Sequence, residues 1–160
     1  MPTAVVFEPA PADQSPATDL LDAMRGEMAE LYDGLDIDDA SMPSAGPADF
    51  TPPRGTLLVG RRGGVAICVD GLKDLGDGTC EIKRMFVVPA ARRQGVAAQL
   101  LAALEALARE LGFRATRLDT GPRQPHAIAL YEAAGYRRIH NFNDNPIATF
   151  HGEKDLGPPT

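Results

Sequence analysis

Apolar positions change period along the chain, and each change marks an element. Ala4 to Glu8 (A-V-V-F-E) is a short apolar run bounded by prolines and predicts a first strand. Ser15-Pro16 reads as an N-cap followed by a first-turn proline. Beyond it Leu20, Leu21, Met24, Met28, Leu31 and Tyr32 recur at helical offsets, predicting an amphipathic helix that ends near Gly34. From Asp33 to Arg54, five aspartates, four prolines and two glycines show no sustained period. A loop of about 20 residues is long enough to be a lid or acceptor-binding segment, or else a plain surface loop.

Thr56 to Gly60 and Val65 to Leu72 are β-rich runs around Arg61-Arg62-Gly63-Gly64, and Gly76-Asp77-Gly78 leads into a third run, Cys80 to Val88. Short turns between three strands predict an antiparallel meander. Pro89 stops the third strand. After the polar link Ala90 to Gln94 a helix is predicted from Gly95 to Leu111, with Leu100, Leu101, Leu104, Leu107 and Leu111 on one stripe and Gly112 as its stop. Thr116 to Thr120 reads as a strand, Gly121 to Gln124 as a turn, and Pro125 to Ala134 as a helix closed by Gly135. Tyr136 to Ile139 and Ala148 to Lys154 read as the last strands. A strand, a helix and a strand in succession imply a right-handed crossover and a parallel pair. The fold class expected is a single α/β domain with a mixed, mostly antiparallel sheet flanked by helices.

A length of 160 residues suits one domain, and 44% hydrophobic with 24% charged residues is ordinary for a globular chain. No apolar run approaches the roughly 20 residues that cross a bilayer, so membrane and disordered classes are set aside. Met1 to Ala12 has no secretion pattern, and the expected location is the cytoplasm. Cys68, Cys80 and three histidines show no zinc-binding spacing; no metal is expected, and both thiols read as reduced core residues. A net charge of -6 argues against a nucleic-acid partner. Residues 1 to 53 hold eleven acids and one base, a balance of -10, whereas residues 54 to 160 hold eleven acids and fifteen bases, a balance of +4. An anionic ligand should prefer the second part and a cationic one the first.

The stretch richest in chemistry is Met85-Phe86-Val87-Val88-Pro89-Ala90-Ala91-Arg92-Arg93-Gln94-Gly95-Val96-Ala97-Ala98. A strand runs through a loop into a helix whose first turn is thin. The N–H groups there lack intrahelical partners and the helix dipole adds positive charge, which suits a pyrophosphate. Arg92 and Arg93 add charge, and Gly95 has no side chain to obstruct a phosphate. By itself R-x-x-G-x-A is a weak pattern, equally readable as a flexible helix start with solvated arginines. Neither G-x-x-x-x-G-K-[ST] nor G-x-G-x-x-G after the first strand occurs. A second run, Gln124-Pro125-His126-Ala127-Ile128-Ala129-Leu130-Tyr131-Glu132-Ala133-Ala134-Gly135-Tyr136, places Tyr131 on a short helix. A phenol there can pack in the core or protonate a departing thiolate.

M-F-V-V-P-A-A-R-R-Q-G-V-A, a leucine helix, a strand and then A-I-A-L-Y-E-A-A-G-Y together resemble the GNAT superfamily of acyl-CoA-dependent N-acetyltransferases. The likeness is close from Thr56 to Ile139. It implies a sheet splayed between Cys80–Val88 and Thr116–Thr120, with acetyl-CoA as co-substrate in the splay. Residues 54 to 140 would form the acetyl-CoA-binding core, residues 1 to 53 the first strand, helix and acidic acceptor-side loop, and residues 141 to 160 the last strand and tail. The resemblance implies that backbone groups of Met85, Phe86 and Val87 hold the pantetheine arm and acetyl carbonyl. It also implies that Arg93, Gln94, Gly95, Val96, Ala97 and Ala98 surround the pyrophosphate, with Arg92 as the leading motif residue. Gln124 stands where many members have an asparagine touching pantetheine. Tyr131 becomes the general acid.

Glu81 lies four residues before Met85, where even spacing in a strand puts both on one face. It corresponds to the general base of the histone-modifying branch, although other members use ordered water, and an ion pair with Lys83 or Arg84 would also explain it. The expected reaction is direct attack of a primary amine on acetyl-CoA. A polyamine, an aminoglycoside, a free amino group or a protein lysine would be drawn by Glu30 and the acidic loop. A non-catalytic acyl-CoA-binding module, another acyl-CoA and a hydroxyl acceptor remain open, as does a homodimer.

Overall fold

Gly63 and Gly64, with φ of 58° and 81°, turn the chain in the left-handed region that tight hairpins need. They set Arg62 opposite Val65 between β2 (Thr56–Arg62) and β3 (Val65–Asp74). Gly76 and Gly78, also left-handed, lead into β4 (Thr79–Val87). These strands form the predicted meander, with β1 (Val6–Pro9) added antiparallel to β2. The computed structural model describes residues 3–53 and 55–158; Arg54 at the end of the predicted loop, the first two residues and the last two of the predicted tail lie outside them.

Helix α1 (Ala17–Leu31) follows β1, and α2 (Val96–Glu110) crosses from β4 to β5 (Ala115–Thr120). Helix α3 (Pro125–Ala133) precedes two last strands, β6 (Arg137–Arg138) and β7 (Phe150–Asp155). The sheet order is β1-β2-β3-β4-β5-β7-β6, antiparallel except for β4 and β5. The fold is thus the mixed α/β domain anticipated.

Each face of the sheet carries a core. On one side Leu100, Leu101 and Leu104 of α2 meet Leu72, Ile82, Leu118 and Phe150. On the other, Leu20, Leu21 and Met24 of α1 meet Leu57, Val59, Val69 and Phe86. Both cysteines are buried, and burial pushes the Cys68 thiol up to about 11, which leaves it unreactive at neutral pH. A buried chain of polar groups fastens α2 to β5 and β7. Tyr136 shares a bond of 2.7 Å with Thr116 and donates to Glu105 at 2.8 Å, and Lys154 reaches Glu105 at 3.0 Å.

Several boundaries differ from the expected ones. Pro16, not Ser15, occupies the N-cap of α1, and the Ser15 hydroxyl donates to the Asp19 carboxylate at 2.6 Å instead of capping the backbone. Strand β1 starts two residues later than the apolar run, and β6 is only Arg137–Arg138. The loop after α1 contains a 3₁₀ turn, Pro47–Phe50, whose Phe50 is 3% exposed and fills the space left by Gly71.

Candidate active site

The parallel pairing of β4 with β5 covers only Thr79 to Glu81 against Ala115 to Arg117. Beyond it β4 stays with β3 while β5 stays with β7 as far as Thr120 opposite Phe150. The two strands therefore fork, and backbone groups on their facing edges lose each other as partners. A β-bulge sharpens the fork. The β3–β4 register slips between Val69 and Gly71, opposite Arg84, whose φ of 78° is left-handed. A bulge inserts one residue and flips the alternation beyond it.

That flip corrects the expected placement of Glu81 and Met85 on one face. Met85 packs into the core under α2, whereas Glu81 lies on the α1 side and outside the cleft. Glu81 is 1% exposed, accepts the Asn143 side-chain N–H at 2.8 Å and pairs with Lys83 at 3.6 Å. Burial raises its carboxyl above the usual glutamate value, against the pull of Lys83. The ion pair with Lys83 weighed from the sequence is present, but buried rather than solvated.

The cleft in the fork is lined by Lys83, Arg84 and Met85 from β4, Asp119 and Thr120 from β5, Gln124 at the N-cap of α3 and Tyr131 within it. Tyr131 is 6% exposed and its hydroxyl points at the Met85 sulfur, 3.9 Å away. Burial, the largest cause, pushes this phenol far above its usual value, so it stays protonated. Gln124 accepts the Tyr32 hydroxyl at 3.0 Å, and Gly121 lets Tyr32 in, since any Cβ there would collide with the phenol oxygen. The Thr120 hydroxyl is buried without a hydrogen-bond partner among the described residues. It leaves a polar position that a ligand in the fork would satisfy.

At the far end, Gly95 is the N-cap of α2 with φ of 78°, and Gln99 makes the first helical bond back to its carbonyl at 3.2 Å. Val96, Ala97 and Ala98 precede that bond, so their N–H groups have no intrahelical acceptor. No acid occupies this first turn. Arg93 is exposed beside it, and Arg62 reaches Gln94 at 2.6 Å, adding a second cation that the sequence pattern did not single out. These features fit a diphosphate. Arg92 stands apart: its guanidinium donates to the Val87 carbonyl at 2.9 Å and pairs with Glu27 at 2.6 Å, lying over the Phe86 ring. Its charge clamps β4 to α1 instead of facing the helix start. Phe86 itself is buried on the α1 side, so only its backbone can serve the fork.

Asp119, Arg84, Tyr32, Asn143 and Asn145 were missed by sequence reasoning. Asn143 and Asn145 both donate to Asp119 Oδ2, at 2.7 and 3.0 Å, and Asn143 also holds Glu81. A carboxylate on a half-buried strand beside the splay was the one available signal for Asp119. The acidic loop also differs from expectation. Asp33 pairs with Arg123 at 3.0 Å, Asp38 with Arg25 at 2.6 Å, and Asp49 accepts the Gly46 N–H, while the cleft is met by Leu35, Ile37, Met42 and Pro43.

A forked mixed sheet, exposed helix-start donors and a protonated phenol in the cleft together suit an acyl-CoA-dependent transferase. The family model described as Acetyltransferase (GNAT) family matches residues 21–136, and the chain belongs to that family as an acetyltransferase. An IAA acetyltransferase of Azospirillum brasilense is 30% identical over 142 residues, covering 85% of this chain and 86% of the relative. An uncharacterized N-acetyltransferase of Schizosaccharomyces pombe is 32% identical over 100 residues, and the match spans 61% of each chain. Among solved structures, an acyl-CoA N-acyltransferase from Klebsiella pneumoniae superposes with a TM-score of 0.75 at 26% identity, covering 96% of this chain and 98% of that one. A GNAT acetyltransferase from Elizabethkingia anophelis with acetyl-CoA bound gives 0.68 at 19% identity, covering 94% and 97%. No helix among the described residues is long and apolar enough to cross a membrane.

Proposed function

We propose that the chain transfers an acetyl group from acetyl-CoA directly to an amine. The observation that carries this reading is the position of Tyr131 in the wall of the cleft that opens where β4 and β5 part. The N–H groups of Val96, Ala97 and Ala98, with Arg93 and the Gln94–Gly95 backbone, would hold the diphosphate. The free edge of β4 at Met85 to Val87 and the side chain of Gln124 would hold the pantetheine arm. The bound Elizabethkingia structure and the relatives described as N-acetyltransferases support the donor.

The neutral amine attacks the thioester carbonyl, forming the C–N bond, and a β4 N–H steadies the oxyanion. The C–S bond then breaks and Tyr131 gives its proton to sulfur. The phenol regains a proton from the nitrogen of the intermediate, and the ammonium substrate releases one proton to solvent per turnover. A phenol above its usual pKa is by itself a poor proton donor to the thiolate of a thiol near 8.5. A thiolate formed in the same apolar surroundings is desolvated too, which keeps the two acids matched.

Asp119 faces the cleft, takes the proton of the ammonium substrate in this scheme and passes it to solvent. Glu81 stands behind Asn143, acting on Asp119 through that shared amide or through ordered water. Thiol release from acetyl-CoA with a panel of amines tests the reading. Tyr131→Phe is expected to lower kcat by about 10²-fold while the KM for acetyl-CoA moves by less than about threefold. Coenzyme A binding with no thiol release on any amine would instead identify a non-catalytic acyl-CoA-binding module.

A further inference from the structure

The acceptor side of the cleft is guarded by an arginine. Arg84 occupies the bulge of β4 with a left-handed backbone, its side chain is 8% exposed, and it lies between the main cleft and a smaller one bounded by α1 and the Pro47–Phe50 turn. Non-glycine residues held in this backbone region concentrate where a ligand is gripped. A guanidinium has five N–H donors. Among the described residues Arg84 makes two contacts, with the Ile37 carbonyl and with Asp38 Oδ1, both at 3.4 Å. That is beyond the usual range for such bonds. Asp38 is the nearer partner of Arg25, at 2.6 Å, so one carboxylate serves two cations. Glu81 and Asp119 also act on Arg84, but Glu81 is held by Lys83 and Asn143, and Asp119 by Asn143 and Asn145. A buried cation so weakly paired is costly, and an anion in the cleft would offset that cost.

Resting on the acetyl-transfer reading above, we propose that the acceptor is an amine that also carries a carboxylate on an apolar body, in class an apolar amino acid. Arg84 binds the carboxylate and Asp119 receives the amine. The two residues stand three and two positions beyond the last paired residues of the fork, Glu81 and Arg117, one on each arm. Both asparagine bonds to Asp119 fall on Oδ2, and no bond among the described residues falls on Oδ1. The apolar body meets Met24, Met28, Leu35, Ile37, Met42 and Ile147. A guanidinium matches a carboxylate with two parallel bonds, while a polyamine would bring cation against cation.

Calorimetry on the protein saturated with coenzyme A tests this. Leucine, methionine and phenylalanine are titrated beside their amides and beside 4-methylpentanoate, which has the carboxylate without the amine. At least one free amino acid is expected to bind about tenfold or more tighter than its amide, with 4-methylpentanoate competing for the same site. Arg84→Gln should abolish the difference between acid and amide while coenzyme A affinity, the check on folding, is retained. Amides binding as well as acids, or no acid binding at all, would overturn the proposal; the wild-type comparison decides even if the variant does not fold. The same mixtures with acetyl-CoA separate the two readings. Acids that bind without thiol release defeat acetyl transfer and keep the carboxylate site, whereas thiol release that favours amides does the reverse.

Discussion

At the scale of single residues, the bulge creates a second unusual group, Asp70 on β3. It is fully buried; Oδ1 accepts the Gly71 N–H at 2.9 Å, and Oδ2 has no partner among the described residues. Burial raises this carboxyl well above the usual aspartate value, so the folded chain keeps a proton that the unfolded chain gives up near pH 4. The folded state then binds more protons above about pH 4, and stability falls as pH rises from there towards the folded value. Asp70→Asn removes that dependence. In urea unfolding, its stability relative to wild type should improve between pH 5 and pH 8, by up to about 1.4 kcal/mol per pH unit. A difference that stays constant over this range would mean that Asp70 is ionised in the folded protein. Motif spacing put Gly95 at a helix start and Tyr131 on a short helix, and the structure has the N-cap of α2 and helix α3 there. Glu81 was misplaced because period-two reasoning assumes an unbroken strand, and nothing in K-R-M-F marks Arg84 as the residue where the register slips.

At the scale of elements, the start of α2 permits a test that separates helix stability from ligand binding. Ala98 is exposed in the first turn, which carries no acid. An aspartate there favours the helix dipole by about 0.3–1 kcal/mol, yet sets a negative charge where a diphosphate would bind. Ala98→Asp should therefore leave the melting temperature unchanged or slightly raised while weakening coenzyme A about tenfold or more, a loss that added salt reduces. Unaltered affinity would move the diphosphate away from this helix. Periodicity revealed α1 and α2 because each has an apolar face to bury, whereas α3 was legible from its starting proline and closing glycine. It did not reveal the turn Pro47–Phe50, where one phenylalanine fits against Gly71 without any repeat to announce it.

At the scale of the whole molecule, two cores grip opposite faces of one sheet, and the fork opens between strands that each remain paired on their outer side. The architecture was legible because the meander and the crossover leave few topologies open. The charge balance of the two parts was legible too, but its meaning was not: Asp33 and Asp38 pair with Arg123 and Arg25, contacts distant in sequence, and Asp36, Asp39 and Asp49 accept local hydrogen bonds. A ligand joining both arms of the fork should stabilise the entire domain. Coenzyme A at about 100 times its dissociation constant adds about 2.7 kcal/mol, or about 5 to 10 °C in Tm for a chain of this size. Thermal scans with and without coenzyme A measure it, and identical midpoints would contradict binding in the fork.

The segment between α1 and β2 is stapled at three points, since Ile37 and Phe50 both sink into the core beneath α1 and Lys73 ties Ser44 down through its carbonyl at 2.5 Å. What lies between behaves as a handle riveted to a door. Met42 and Pro43 meet the cleft between these anchors, so exchanging their side chains is expected to change what the cleft accepts while the grip on the acyl donor stays as it is.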